Sequence, residues 1–105
     1  MKYLITESQF DKIIFKYLDN QDFVHIGYGE NIYLVNSEED SLAQIKINNK
    51  SRWCAIDYNL LNEISSFFSI NRIDALSVIN KWVEKKFDIK SLSVYAESNI
   101  IVYYF

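Results

Sequence analysis

The apolar positions between residues 57 and 87 repeat with the period of a helix and break once. Leu60, Leu61, Ile64, Phe67 and Phe68 recur at the i, i+3, i+4, i+7 spacing of one helical face. Ile73, Leu76, Ile79, Val83 and Phe87 do the same, with Ala75 and Trp82 widening the stripe. Ser69-Ile70-Asn71 interrupts them, so the pattern predicts a helix pair rather than one long helix. Asp57 stands where the first helix needs an N-cap. Asn71, with Asp74 three residues on, resembles a capping box for the second, since both side chains can satisfy free backbone N–H groups. Lys81, Lys85 and Lys86 fall toward the second helix's negative end, where the macrodipole favours cations.

On either side of this pair the period changes. Residues 2–5 read as a short strand, and Thr6-Glu7-Ser8-Gln9 matches a capping box that opens a helix to about Leu18. Phe10, Ile13, Ile14, Tyr17 and Leu18 form its apolar face. Residues 23–28 and 31–35 alternate as a hairpin about Gly29-Glu30. Residues 42–47 and 52–56 alternate about Asn48-Asn49-Lys50-Ser51, where asparagine tolerates the positive φ of a tight hairpin. Residues 92–95 and 100–104 read as a last hairpin about Glu97-Ser98-Asn99. The order α-ββββ-αα-ββ, with helices and strands in separate runs, predicts one α+β domain over residues 1–105. Its sheet should be mostly antiparallel, with about five to six strands, packed against an N-terminal helix and the central helix pair.

Composition changes this picture only by exclusion. A 105-residue chain buries roughly 60–70% of its unfolded surface, and with half its residues hydrophobic it can fill a core without staples. Cys54 is the one cysteine, which rules out an internal disulfide and a cysteine-based zinc site. Beside Trp53 in an alternating stretch, it reads as a small buried apolar residue. The longest apolar run, residues 100–105, is far short of the ~20 that span a bilayer. Residues 1–10 lack the apolar region of a secretory leader. The reduced cytosol, or a particle assembled there, is therefore the expected location, with no membrane partner.

The net charge of −3 is unevenly spread. No Lys or Arg lies between Tyr17 and Ile45, yet Asp19, Asp22, Glu30, Glu38, Glu39 and Asp40 do. Lys81, Lys85, Lys86 and Lys90 cluster late, diluted by Glu84 and Asp88. An acidic chain with two arginines fits a phosphate backbone poorly, so no direct nucleic-acid contact is expected.

No motif assembles catalysis. His25, the one histidine, shares a strand face with Phe23 and Gly27, and nothing places a nucleophile or orienting carboxylate near it. An enzyme would need a pocket gathering His25, a carboxylate and a tyrosine. Gly27-Tyr28-Gly29 lacks the third glycine and following helix of a phosphate loop, and turn chemistry accounts for both glycines. Glu38-Glu39-Asp40 lacks the alternating ligand spacing of a cation loop. The helix pair presents Arg72, Asp74 and Ser77 where a DNA-reading helix would meet bases, with an acid facing the phosphates. No catalytic, cofactor-binding or metal residue is assigned.

The C-terminal run Ile100-Ile101-Val102-Tyr103-Tyr104-Phe105 is apolar on both faces. Such a strand belongs in the middle of a sheet or under another chain, because a bare edge of this kind invites aggregation.

The opening Met1-Lys2-Tyr3-Leu4-Ile5-Thr6-Glu7-Ser8-Gln9-Phe10 resembles the start of short, uncharacterised bacteriophage proteins, marine ones especially. In those an apolar pair precedes Thr/Ser-Glu-Ser-Gln and a helix. The likeness covers residues 1–20 and carries no functional residue with it. Frequent Ile, Asn, Lys, Tyr and Phe, all with A/T-rich codons, agree with a viral or low-GC bacterial source. The resemblance implies a virion component, an assembly factor or an inhibitor of host machinery.

These readings combine into one expectation: a small phage-type structural or accessory protein, not an enzyme, acting by protein–protein contact. It should self-associate or join a larger assembly. The expected interface residues are Glu38, Glu39, Asp40, Lys81, Lys85, Lys86, Tyr103, Tyr104 and Phe105, the acidic segment of one copy meeting the basic segment of another. The alternative is a phage-encoded inhibitor of a host enzyme or defence complex, using the same acidic surface.

Overall fold

A computed structural model of the chain describes residues 7–102. Its elements run α1 (Glu7–Asn20), β1 (Val24–Tyr28), β2 (Asn31–Val35), β3 (Leu42–Ala43), β4 (Ile45–Asn48) and β5 (Trp53–Asp57). They continue with α2 (Tyr58–Phe68), α3 (Arg72–Phe87), β6 (Ser93–Glu97) and β7 (Ile100–Ile101). This is the α+β architecture expected, a five-stranded sheet in the order β1-β2-β4-β5-β6 against three helices.

Strand alternation divides the apolar side chains between two layers. Ile32, Leu34, Ile45, Ile47, Cys54, Ile56, Val94 and Ala96 point to the helices and meet Ile14, Leu18, Leu61, Ile64, Ile79 and Val83. Tyr33, Val35 and Ala55 point the other way, where Ala43 of β3 and Ile100 of β7 cover them with Val102. Full burial of each large aliphatic side chain stabilises by about 1.5–3 kcal/mol, so the helix-side layer carries most of the fold.

The helix pair starts and stops where its caps dictate. The Asp57 carboxylate accepts from the Asn59 N–H at 2.9 Å, and the Asn71 side chain accepts from the Asp74 N–H at 2.8 Å. Ser69 and Asp88 close the two helices in the left-handed region, at φ 54° and 53°. No helix among the described residues is long and apolar enough to cross a membrane.

Several expectations are corrected. Residues 92–95 and 100–104 do not form a hairpin. β6 pairs parallel with β5, while β7 pairs with β3 in a separate two-stranded sheet. A parallel neighbour requires a long crossover, and α2 and α3 supply it. Ile100 and Ile101 are thus not in the main sheet: Ile100 and Val102 are buried, Ile101 is 54% exposed, and Tyr103, Tyr104 and Phe105 lie outside the described residues. The stretch 42–47 divides at Gln44, so β3 turns away to cover the outer layer. Gln44 stays bonded, its N–H donating to the Leu34 carbonyl at 2.8 Å and its carbonyl accepting from the Asp57 N–H at 2.9 Å.

Phe67 and Ile73 do not face the core; they are 67% and 79% exposed. The buried stripe of α3 is Ala75, Val78, Ile79, Trp82 and Val83. In the β4–β5 turn the positive φ falls on Arg52, at 55°, while the Asn48 side chain accepts from the Ser51 N–H at 2.8 Å. Gly29 has φ 60° in its turn, but Gly27 sits within β1 opposite Ile32, so turn chemistry accounts for Gly29 alone. α1 runs to Asn20, beyond Leu18. The strand over 2–5 and the cap at Thr6 lie outside the described residues.

Candidate functional site

Helix periodicity places Phe15 and Asp19 of α1 four residues apart on one ridge. Asp11, four residues earlier, continues it. On α3, Lys81 and Lys85 form the matching ridge, with Trp82 and Lys86 beside them. Packed side by side, the two helices leave a cleft of about 520 Å³ lined by Lys12, Phe15, Lys16, Asp19, Trp82, Lys85 and Lys86. A second depression of about 330 Å³ adjoins it, where Asp19, Trp82 and Lys86 are joined by Leu18, Asp22, Phe23 and His25.

The two helices are tied by polar contacts along the cleft. The Trp82 indole N–H donates to Asp19 Oδ1 at 2.9 Å, and Lys86 Nζ stands 3.8 Å from the same oxygen. Lys81 Nζ donates to Asp11 Oδ2 at 3.4 Å. The lysine ammonium groups also sit over rings: Lys86 is 5.4 Å from the Trp82 centroid and Lys85 is 5.8 Å from that of Phe15. Contacts of this kind contribute roughly 0.5–1 kcal/mol at exposed sites. They hold the lysine stems against an aromatic floor while the charges stay at the mouth.

No protein-family model, curated protein or solved structure matches the chain. His25 borders the second depression with its ring 5.2 Å from that of Phe87. Partial burial lowers its pKa, and the nearby Lys86 charge adds to the effect, so both favour the neutral imidazole. Asp19 and Asp22 line the same depression, but no tyrosine does. Among the described residues no group of three or more His, Cys, Asp or Glu side chains could hold a metal ion. Cys54 is buried among apolar neighbours, which pushes its thiol up to about 12.

The interface residues expected from the sequence separate into three places. Lys85 and Lys86 line the cleft, and Lys81 stands at its Asp11 end. Glu38, Glu39 and Asp40 lie in the β2–β3 connection, where Asp40 Oδ2 accepts from the Ser37 N–H at 3.0 Å. Tyr103, Tyr104 and Phe105 lie outside the described residues. The acidic and basic segments are also less segregated than their order in the chain suggests, because Asp19 and Asp22 already flank Lys86 within one molecule. Sequence reasoning missed Lys12, Phe15 and Lys16. The i, i+4 spacing of Lys12 and Lys16 was a readable signal, but only the α1–α3 contact joins them to Lys85 and Lys86.

Proposed function

We propose that this is a structural or accessory protein, of the bacteriophage type its opening resembles, that acts by protein–protein contact through the lysine-lined face of α1 and α3. One observation carries the reading: Lys12, Lys16, Lys85 and Lys86 converge on a single cleft in a chain of net charge −3. Crowded like charges repel one another, and an acidic partner surface relieves that repulsion. A local field opposite in sign to the whole chain steers and orients such a partner more than it tightens the final complex. The floor of Phe15 and Trp82 suits a protein surface, since aromatic side chains enrich interface cores.

A second copy offers one acidic surface, the Glu38-Glu39-Asp40 turn; another component of an assembly offers others. A contact between turn and cleft joins unlike patches, so it would build rings or open chains rather than a two-fold dimer. Sedimentation velocity at low and high salt tests the reading, with co-purification of co-expressed particle proteins alongside. Complexes should form at low salt and shrink as salt rises, and K12E/K16E/K85E should abolish them. A protein that is strictly monomeric at low salt and retains no particle protein overturns the proposal.

A further inference from the structure

The crest of α1 carries two ridges of different character. Lys12 and Lys16 form one, exposed along its length. Ile13 and Tyr17 form the next, about 100° around the helix. Ile13 is 46% exposed, and Phe67 of α2, 67% exposed, extends this ridge with its ring 5.1 Å from that of Tyr17. The Phe67 ring also stacks edge-on against Phe68 at 4.9 Å, so it is held in place rather than loose. An apolar strip therefore runs beside a basic strip, with Lys85 across the cleft from Lys16. The Glu63 carboxylate, one turn before Phe67 on α2, meets the Tyr17 hydroxyl and so borders the apolar ridge on its α2 side.

We infer that this surface receives an acidic amphipathic helix of a protein partner. The inference rests on the contact reading above and names the partner's chemistry. Such a helix seats its apolar stripe on Ile13, Tyr17 and Phe67 and turns its carboxylates toward Lys12 and Lys16. Glu63 repels acids on the opposite flank, so charge fixes which way round the helix is rolled. The 14 residues of α1 present about 21 Å of crest, room for a partner of about four turns. The Glu38-Glu39-Asp40 turn of a second copy satisfies the lysines but leaves the apolar ridge uncovered. An anionic lipid surface is disfavoured because Asp11 and Asp19 stand among the cations and the whole chain is acidic.

Fluorescence anisotropy with synthetic peptides tests this. One 16-residue peptide places Leu at i, i+3, i+4 and i+7 with Glu on the adjoining face. A second has the same composition in shuffled order, and phosphatidylglycerol vesicles form a third probe. The striped peptide should bind at least about tenfold tighter than the shuffled one, and Phe67→Ser should remove about that factor. Ile13→Ser serves as a second variant of the same ridge, and circular dichroism verifies that each folds. K12E/K16E should weaken binding and flatten its salt dependence. Equal binding of both peptides, or tighter binding to vesicles, overturns the helix as occupant. So does the absence of peptide binding; if K12E/K16E/K85E still disperses the native complexes, the contact reading survives, and if no complexes form, both fall.

Discussion

Asp19→Ala is the perturbation that most directly tests how the cleft is held. The Trp82 side chain is 3% exposed, and its only polar atom donates to Asp19 Oδ1 at 2.9 Å. Removing that acceptor strands a buried N–H, which costs about 1–3 kcal/mol. The Asp19 side chain is 59% exposed, so water reaches part of the vacated space. The lower half of that range, about 1.5 kcal/mol, is the working value. Losing the 3.8 Å pair with Lys86 adds about 0.5 kcal/mol at such exposure. The sum is about 2 kcal/mol. With an unfolding entropy of about 2.1 cal/mol/K per residue over 105 residues, Tm should fall by roughly 9 °C. Asp19→Asn keeps an acceptor oxygen and should cost less than about 1 kcal/mol. Urea unfolding followed by circular dichroism gives both free energies and a thermal melt gives the Tm shift, while a double-mutant cycle with Trp82→Phe should return a coupling of about 1–2 kcal/mol. If Asp19→Asn destabilises as much as Asp19→Ala, charge rather than the indole bond ties α1 to α3, and the reasoning fails.

Ile79, 0% exposed, and Ile73, 79% exposed, differ sharply in burial although both belong to the apolar pattern of α3. Truncating Ile79 to Ala should cost about 2–5 kcal/mol, and truncating Ile73 no more than about 0.5, by denaturant titration; similar losses at both would show that α3 is rotated. The Cys54 thiol is raised from an ordinary value near 9 to about 12 by burial. It should resist a thiol-specific chromophore at pH 8 until urea unfolds the chain. Because the raised pKa belongs to the folded state, its contribution to stability is intact below pH 9 and declines between pH 9 and 12. A Tm profile of wild type against Cys54→Ala reads that slope. Ser69 holds a left-handed φ of 54°, so Ser69→Gly should stabilise by about 0.5–1 kcal/mol and Ser69→Val should destabilise. Loss of stability in the glycine variant would contradict this account of the α2 C-terminus.

Local chemistry made much of this fold readable from the chain alone. Asp57 and Asn71 cap with their side chains and Ser69 with its left-handed backbone, so the boundaries of α2 and the start of α3 follow from groups acting within a few residues of themselves. The α+β class follows from periods of two and near 3.6, which report what each segment buries. Pairing partners are another matter, because period-two alternation in residues 93–97 is satisfied equally by a hairpin and by a parallel neighbour. Only the packing of α2 and α3 over the sheet brings β6 beside β5 and leaves β7 to β3. The candidate site shows the same division. Lys81–Lys90 was visible as a cluster, but Lys12 and Lys16 join it through a helix contact spanning most of the chain. Phe67 and Ile73 sit at helical spacing like their buried neighbours, yet face outward. A stripe tells which residues share a side of a helix, whereas how far burial extends around that side depends on what the rest of the molecule lays against it.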